Sequence, residues 1–173
     1  MKLLLVRHAA AVERGSEICD EVRYLTPEGR VLFRKTSRTM LKNSVEPALI
    51  LTSPLLRAVQ TADILAEALS FSGPLVVREE LRPGFDIQGM KKLLEDYRTV
   101  DELVLVGHEP DLSSIITLLV SHPGGFNFKK GAAVKLKIDP ADLSAPAEFK
   151  WLALGKKLIT GREEVFMIQA RER

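Results

Sequence analysis

The sequence predicts an α/β domain, a three-layer sandwich with a central, mainly parallel sheet and helices on both faces. Three observations predict it. Leu3-Leu4-Leu5-Val6 is an apolar run too short for a membrane span and the right length for a buried strand, and it stops at Arg7-His8. The pattern recurs at Leu103-Val104-Leu105-Val106, which runs into Gly107-His108. Between these runs lie helix starts of the hydroxyl-then-proline type, Thr26-Pro27 and Ser53-Pro54. If the two histidine-ended strands lie parallel in one sheet, His8 and His108 emerge at the same edge, where open α/β sheets bind ligands.

Taken in order, the chain supports that reading. After His8, residues Glu13 to Arg23 mix both charges with Gly15 and Ser16 and read as a loop or irregular short helix at the rim of any site at His8. Thr26-Pro27-Glu28 opens a helix to about Lys42, with Val31 and Met40 among its inward residues. Pro47 breaks the chain, and Ala48-Leu49-Ile50-Leu51 is a second buried strand. Ser53 and Pro54 then start a helix whose stripe is Leu55, Val59, Ala62, Ala66 and Leu69. Arg57 sits near its electropositive end, where the helix dipole disfavours a cation and a bound anion would explain one. Phe71 to Pro74 turn into a strand at Leu75-Val76-Val77, Glu79 to Asp86 form a loop, and a helix follows around Met90–Tyr97. Past His108, Asp111 or a residue just before Pro110 caps a helix carrying Leu112, Ile115, Ile116 and Leu119. Ala132–Ile138 and Glu148–Leu154 are two further strands, and Val165–Gln169 is a last strand or an ordered tail.

The 173 residues are 46% hydrophobic and 28% charged with a net charge of +2, which fits one domain spanning 1–173 and disfavours a nucleic-acid or membrane-surface protein. Neither a signal peptide nor a transmembrane run is visible, and the lone Cys19, among acids that disfavour its thiolate, suits a reducing compartment; the expected location is cytoplasmic. His122, before Pro123-Gly124-Gly125, suits a helix C-terminus, and Lys129-Lys130 reads as a solvated turn.

The motifs Leu5-Val6-Arg7-His8, Leu25-Thr26-Pro27-Glu28-Gly29, Leu51-Thr52-Ser53-Pro54-Leu55-Leu56-Arg57-Ala58-Val59-Gln60-Thr61 and Val106-Gly107-His108 come in an order that resembles the histidine phosphatase superfamily, the phosphoglycerate mutase-like fold. The resemblance is close from Lys2 to Val120 and loose beyond it. Without the long insertions of mutases and many ester phosphatases, the chain looks most like the small phosphohistidine phosphatase branch, the SixA-like proteins. Two departures stand out. Ala9 replaces the glycine usual after Arg-His, and Pro83 stands where larger members carry a glutamate acid, with Glu80 and Asp86 nearby as candidate acids out of register.

The resemblance implies that His8 is the nucleophile, that Arg7 and Arg57 hold the phosphoryl group, and that His108 assists. The residue types suit this chemistry. A neutral imidazole can attack phosphorus, and two guanidinium forks can grip the charged oxygens. No metal and no cofactor is implied; a zinc site with His8, His108 and Glu109 is the alternative, and it lacks a further histidine in suitable context. The expected substrate is a phosphorylated protein carrying phosphohistidine. A small phosphate ester, or a catalytically silent module binding phosphate or a partner, is the alternative. Phosphate or sulfate is expected to occupy a pocket touching Arg7, His8, Arg57 and His108.

Overall fold

The computed structural model describes residues 1–15, 17–122 and 126–165. Seven strands form one mixed sheet: β1 (Lys2–Arg7), β2 (Leu49–Thr52), β3 (Leu75–Val77), β4 (Glu102–Gly107), β5 (Ala133–Lys137), β6 (Glu148–Leu154) and β7 (Lys157–Ile159), in the order β3-β2-β4-β1-β5-β6-β7. The first four strands are parallel, and β5, β6 and β7 extend the sheet antiparallel beyond β1.

The strand runs are apolar without alternation because both sheet faces are covered. Leu4, Val6, Val104 and Val106 pack with Phe33 and Met40 of α1 (Pro27–Lys42) and with Ala58, Ala62 and Leu65 of α2 (Leu56–Leu69). Leu3, Leu5, Leu103 and Leu105 pack on the other face with Met90 and Leu93 of α3 (Ile87–Asp96) and with Leu112 and Ile116 of α4 (Asp111–Leu119). The expected three layers are all present.

Several local expectations need correction. Met40 is buried, but Val31 is about half exposed; the inward face of α1 is Phe33, Thr36, Ser37 and Met40, at helical spacing, and Val31 lies two residues before it on the far side. Thr26 caps α1 as expected, its Oγ1 accepting from Gly29 N at 3.0 Å. Ser53 does not cap α2, which starts at Leu56 with Leu55 at the cap; the Ser53 hydroxyl accepts from Leu55 N and meets a histidine instead. The loop after β3 contains a short 3₁₀ turn at Glu79–Leu81. Pro110 occupies the cap of α4 and Asp111 is its first residue. Residues 162–165 are helical, so Val165 does not begin a strand, and 166–169 lie outside the described residues.

Gly29 marks how α1 is seated. A Cβ there would lie 2.2 Å from the carbonyl oxygen of Ala10, the same oxygen that accepts from Thr26 N at 2.9 Å. Gly29→Ala must push α1 away from the segment that follows β1. A loss of about 1–3 kcal/mol or more is expected in denaturant melts, the scale of overpacking. An unchanged midpoint would contradict this close approach.

Candidate active site

The register of the central strands builds the site. Arg7 pairs with Gly107 and Thr52 with Val106, so His8, Ser53 and His108 leave the sheet at one edge, next to the start of α2. The backbone continues the alignment: His8 N donates to Gly107 O at 3.1 Å and Ser53 N to Val106 O at 3.0 Å. The end of β1 is closed by a turn at Gly131, whose N donates to the carbonyls of both Arg7 and His8 and whose φ of +75° suits glycine. Ala9 has no positive φ; its side chain is buried in the core beside α1 and α2, so the Cβ in place of the family's glycine is accommodated. Ala9 N donates to Thr61 Oγ1 at 3.1 Å, and that hydroxyl donates to Arg57 O at 2.6 Å, tying α2 to the strand end. Gln60 Oε1 accepts from Leu25 N. The long motif around Arg57 is thus partly scaffold.

His8 is buried, and its ring is oriented from both sides. Nδ1 lies 2.7 Å from the Ala9 carbonyl, which can only accept, so Nδ1 carries the proton. Nε2 keeps its lone pair and accepts from Arg57 Nε at 3.3 Å. Burial pushes the His8 imidazole down to about 3, with the charges of His108, Arg57 and Arg7 acting the same way and the Ala9 carbonyl opposing. The imidazole is therefore neutral at physiological pH, the form a nucleophile requires. The His8 and His108 rings sit 5.2 Å apart between centroids. His108 is buried and pushed down to about 4, again chiefly by burial. Its Nε2 lies 2.7 Å from Ser53 Oγ, and its buried Nδ1, like the buried Nε of Arg7, has no partner among the described residues. Arg7 donates through Nη1 to Phe128 O at 2.6 Å. The fold thus gathers the four expected residues, Arg7, His8, Arg57 and His108, closely enough that the two arginine charges push both imidazoles down.

The candidate acids are engaged elsewhere. Asp86 is exposed and caps α3, with Oδ1 accepting from Gln88 N and Gly89 N. Glu80 takes a fork from Arg78 at 2.9 and 3.1 Å, which holds its carboxyl down at about 2. Glu109, which a zinc reading would recruit, accepts from Ser113 N and Ser113 Oγ; burial raises its carboxyl, against the pull of Ser113 and Arg7.

Asp20 is the residue that sequence reasoning passed over. Its backbone oxygen accepts from Arg57 Nη1 at 2.7 Å and its Oδ2 from Arg57 Nη2 at 3.1 Å. Burial works against its ionisation, but hydrogen bonds from Arg23 and Arg14 and the charge of Arg57 outweigh it and hold the carboxyl well below the usual range. An acid lying between Arg14 and Arg23 in a loop next to the site was the available signal.

Residues 3–98 match the family described as histidine phosphatase superfamily (branch 1). The chain belongs to the histidine phosphatase superfamily. A curated protein of similar sequence, an uncharacterized protein of Picosynechococcus sp. strain PCC 7002, is 33% identical over 149 residues, covering 84% of this chain and 90% of that protein. Solved structures share the histidine phosphatase fold. The protein histidine phosphatase SixA complexed with tungstate aligns with a TM-score of 0.79 at 24% identity, covering 90% of this chain and 97% of that one. A protein of Agrobacterium tumefaciens assigned as phosphohistidine phosphatase SixA aligns at 0.71 and 21% identity, covering 78% and 90%. The alpha-ribazole phosphatase of Shigella flexneri aligns at 0.64 and 18%, covering 90% and 96%. Among the described residues, no helix of this superfamily member is long and apolar enough to cross a membrane.

Proposed function

We propose that this protein is a phosphatase that works through a phosphohistidine on His8 and takes protein-borne phosphohistidine as its substrate. The observation that carries the reading is the state of His8: a neutral imidazole whose Nε2 lone pair is held by Arg57 among cationic and imidazole donors. In the first step Nε2 forms a bond to phosphorus and the bond to the leaving group breaks, the leaving group keeping the electron pair. In the second, water attacks phosphorus, the bond to Nε2 breaks, and inorganic phosphate departs. Arg7, Arg57 and His108 stabilise the equatorial oxygens in both steps.

The substrate class follows from the leaving group. An alkoxide is strongly basic and benefits from a placed acid, whereas the imidazole of a phosphoramidate leaves readily and takes its proton from solvent. Glu80 and Asp86 are both committed to other partners, which favours the phosphoramidate. A small-ester reading draws on Glu109, whose burial-raised carboxyl could give up a proton near Arg7.

The test compares a phosphohistidine peptide, an aryl phosphate and an alkyl phosphate. Expected is kcat/KM highest for phosphohistidine and lowest for the alkyl ester, with turnover unaffected by a chelator because the side chains themselves carry the positive charge. Fast alkyl ester hydrolysis that collapses in Glu109→Gln would establish the ester reading. Failure of all three substrates in a protein that still binds phosphate would point to the silent module.

A further inference from the structure

We propose that Asp20 is a positioning residue that holds the Arg57 guanidinium edge-on to His8 and denies its end to the phosphate. A guanidinium has two forks, one at its Nη1/Nη2 end and one along its Nε side. Asp20 binds the end of Arg57 through its backbone oxygen and Oδ2, while Nε donates to His8 Nε2. The side fork is the one left facing the nucleophile. Arg57 is 4% exposed, so its orientation is set by these partners and not by solvent.

Asp20 is itself braced. Its Oδ1 accepts from Arg14 Nε at 2.9 Å and Arg23 Nη1 at 2.8 Å. Arg23 Nε donates to Val12 O, and Val12 N donates to Tyr24 O, closing the base of the loop. Two extra arginines around one carboxylate also compensate its charge next to a pocket for an anion.

This inference rests on the phosphoryl-transfer reading of the site, and it has an unusual consequence. Neutralising Asp20 leaves Arg14, Arg23 and Arg57 uncompensated and loosens the end fork at Nη2, while Nη1 stays on the backbone oxygen. Inorganic phosphate should then bind more tightly while the chemistry slows, because Arg57 no longer faces phosphorus side-on. A purely structural role would weaken both, and a simple plug over the site would, on removal, speed turnover.

The experiment uses the full chain as wild type, Asp20→Asn and Asp20→Glu, with Asp20→Asn preserving side-chain size and the backbone contact. In Asp20→Asn, kcat should fall about ten-fold or more, toward the ~10²-fold loss that a misplaced group can bring. Inorganic phosphate, titrated by calorimetry, should bind several-fold tighter, and Asp20→Glu should recover part of the rate. The Arg57 Nε–H resonance, distinct in wild type, should broaden or merge with free arginines in Asp20→Asn. That signal and the phosphate titration need no turnover, so they decide the role of Asp20 even if no phosphohistidine is hydrolysed. Unchanged or faster turnover, phosphate bound equally or less tightly, or an unmoved Arg57 signal would each overturn the proposal.

Discussion

His8→Ala is expected to abolish turnover and to leave no acid-labile phosphoryl group on the protein. In the proposed mechanism Nε2 of His8 is the atom that bonds to phosphorus, and within its immediate surroundings the other imidazole, His108, is tied through Nε2 to Ser53. Without a nucleophile, only binding and electrostatic stabilisation of direct water attack remain, and in enzymes stripped of a catalytic unit these leave roughly 10³–10⁴-fold over water, a small part of a typical enhancement. The fold should survive. His8 packs as a neutral ring at a strand end, and its loss removes one hydrogen bond to Ala9 O and one from Arg57. Incubation with labelled phosphohistidine peptide, followed by a rapid quench at high pH, reads the intermediate directly. Label retained on His8→Ala would place the nucleophile elsewhere.

Arg57→Ala should cost about 2.7–4 kcal/mol of transition-state stabilisation, or roughly 10²–10³ in kcat, the scale of deleting one preorganised donor. Arg57 Nε donates to His8 Nε2, so in the proposed mechanism its loss removes both a charge and an orienting contact. Burial lowers its titration, with Asp20 acting in the opposite direction. Arg57→Lys should rescue little, because an ammonium cannot supply the planar fork. Single-turnover kinetics with an aryl phosphate separate this loss from weaker binding. A rate close to wild type in Arg57→Ala would remove Arg57 from the mechanism.

The parts of this molecule that were legible in its sequence are those set by local rules. Apolar runs without alternation announced β1, β2 and β4 as strands buried on both faces, and the break from apolar residues to Arg7-His8 and Gly107-His108 marked where β1 and β4 end. Thr26-Pro27 announced α1 through its cap. What escaped depends on the assembled sheet. The antiparallel extension β5 to β7 carries no signature of direction, and β7 is a three-residue edge strand, Lys157–Ile159, too short to show a period. Asp86 was weighed as an acid, yet it immediately precedes α3 and its side chain is the cap; the N-cap preference for aspartate was the better guide. Asp20 had no local signal of comparable strength, because its partner Arg57 is remote in sequence and is brought to it only by α2 packing over the end of β1.

The pairing of β1 also governs when the candidate site can form. β1 lies between β4 and β5, so once synthesised it finds no sheet neighbour until about a hundred more residues exist. At ribosomal rates of roughly 5–20 residues per second, that is a wait on the order of 5–20 s during which four consecutive apolar side chains have no sheet to enter. Non-local strand pairing of this kind is slow to form. His8 and His108 therefore meet only in the step that completes the central sheet. A nascent or truncated chain ending before β4 carries His8 without its partner histidine, and the candidate site arrives with the finished fold.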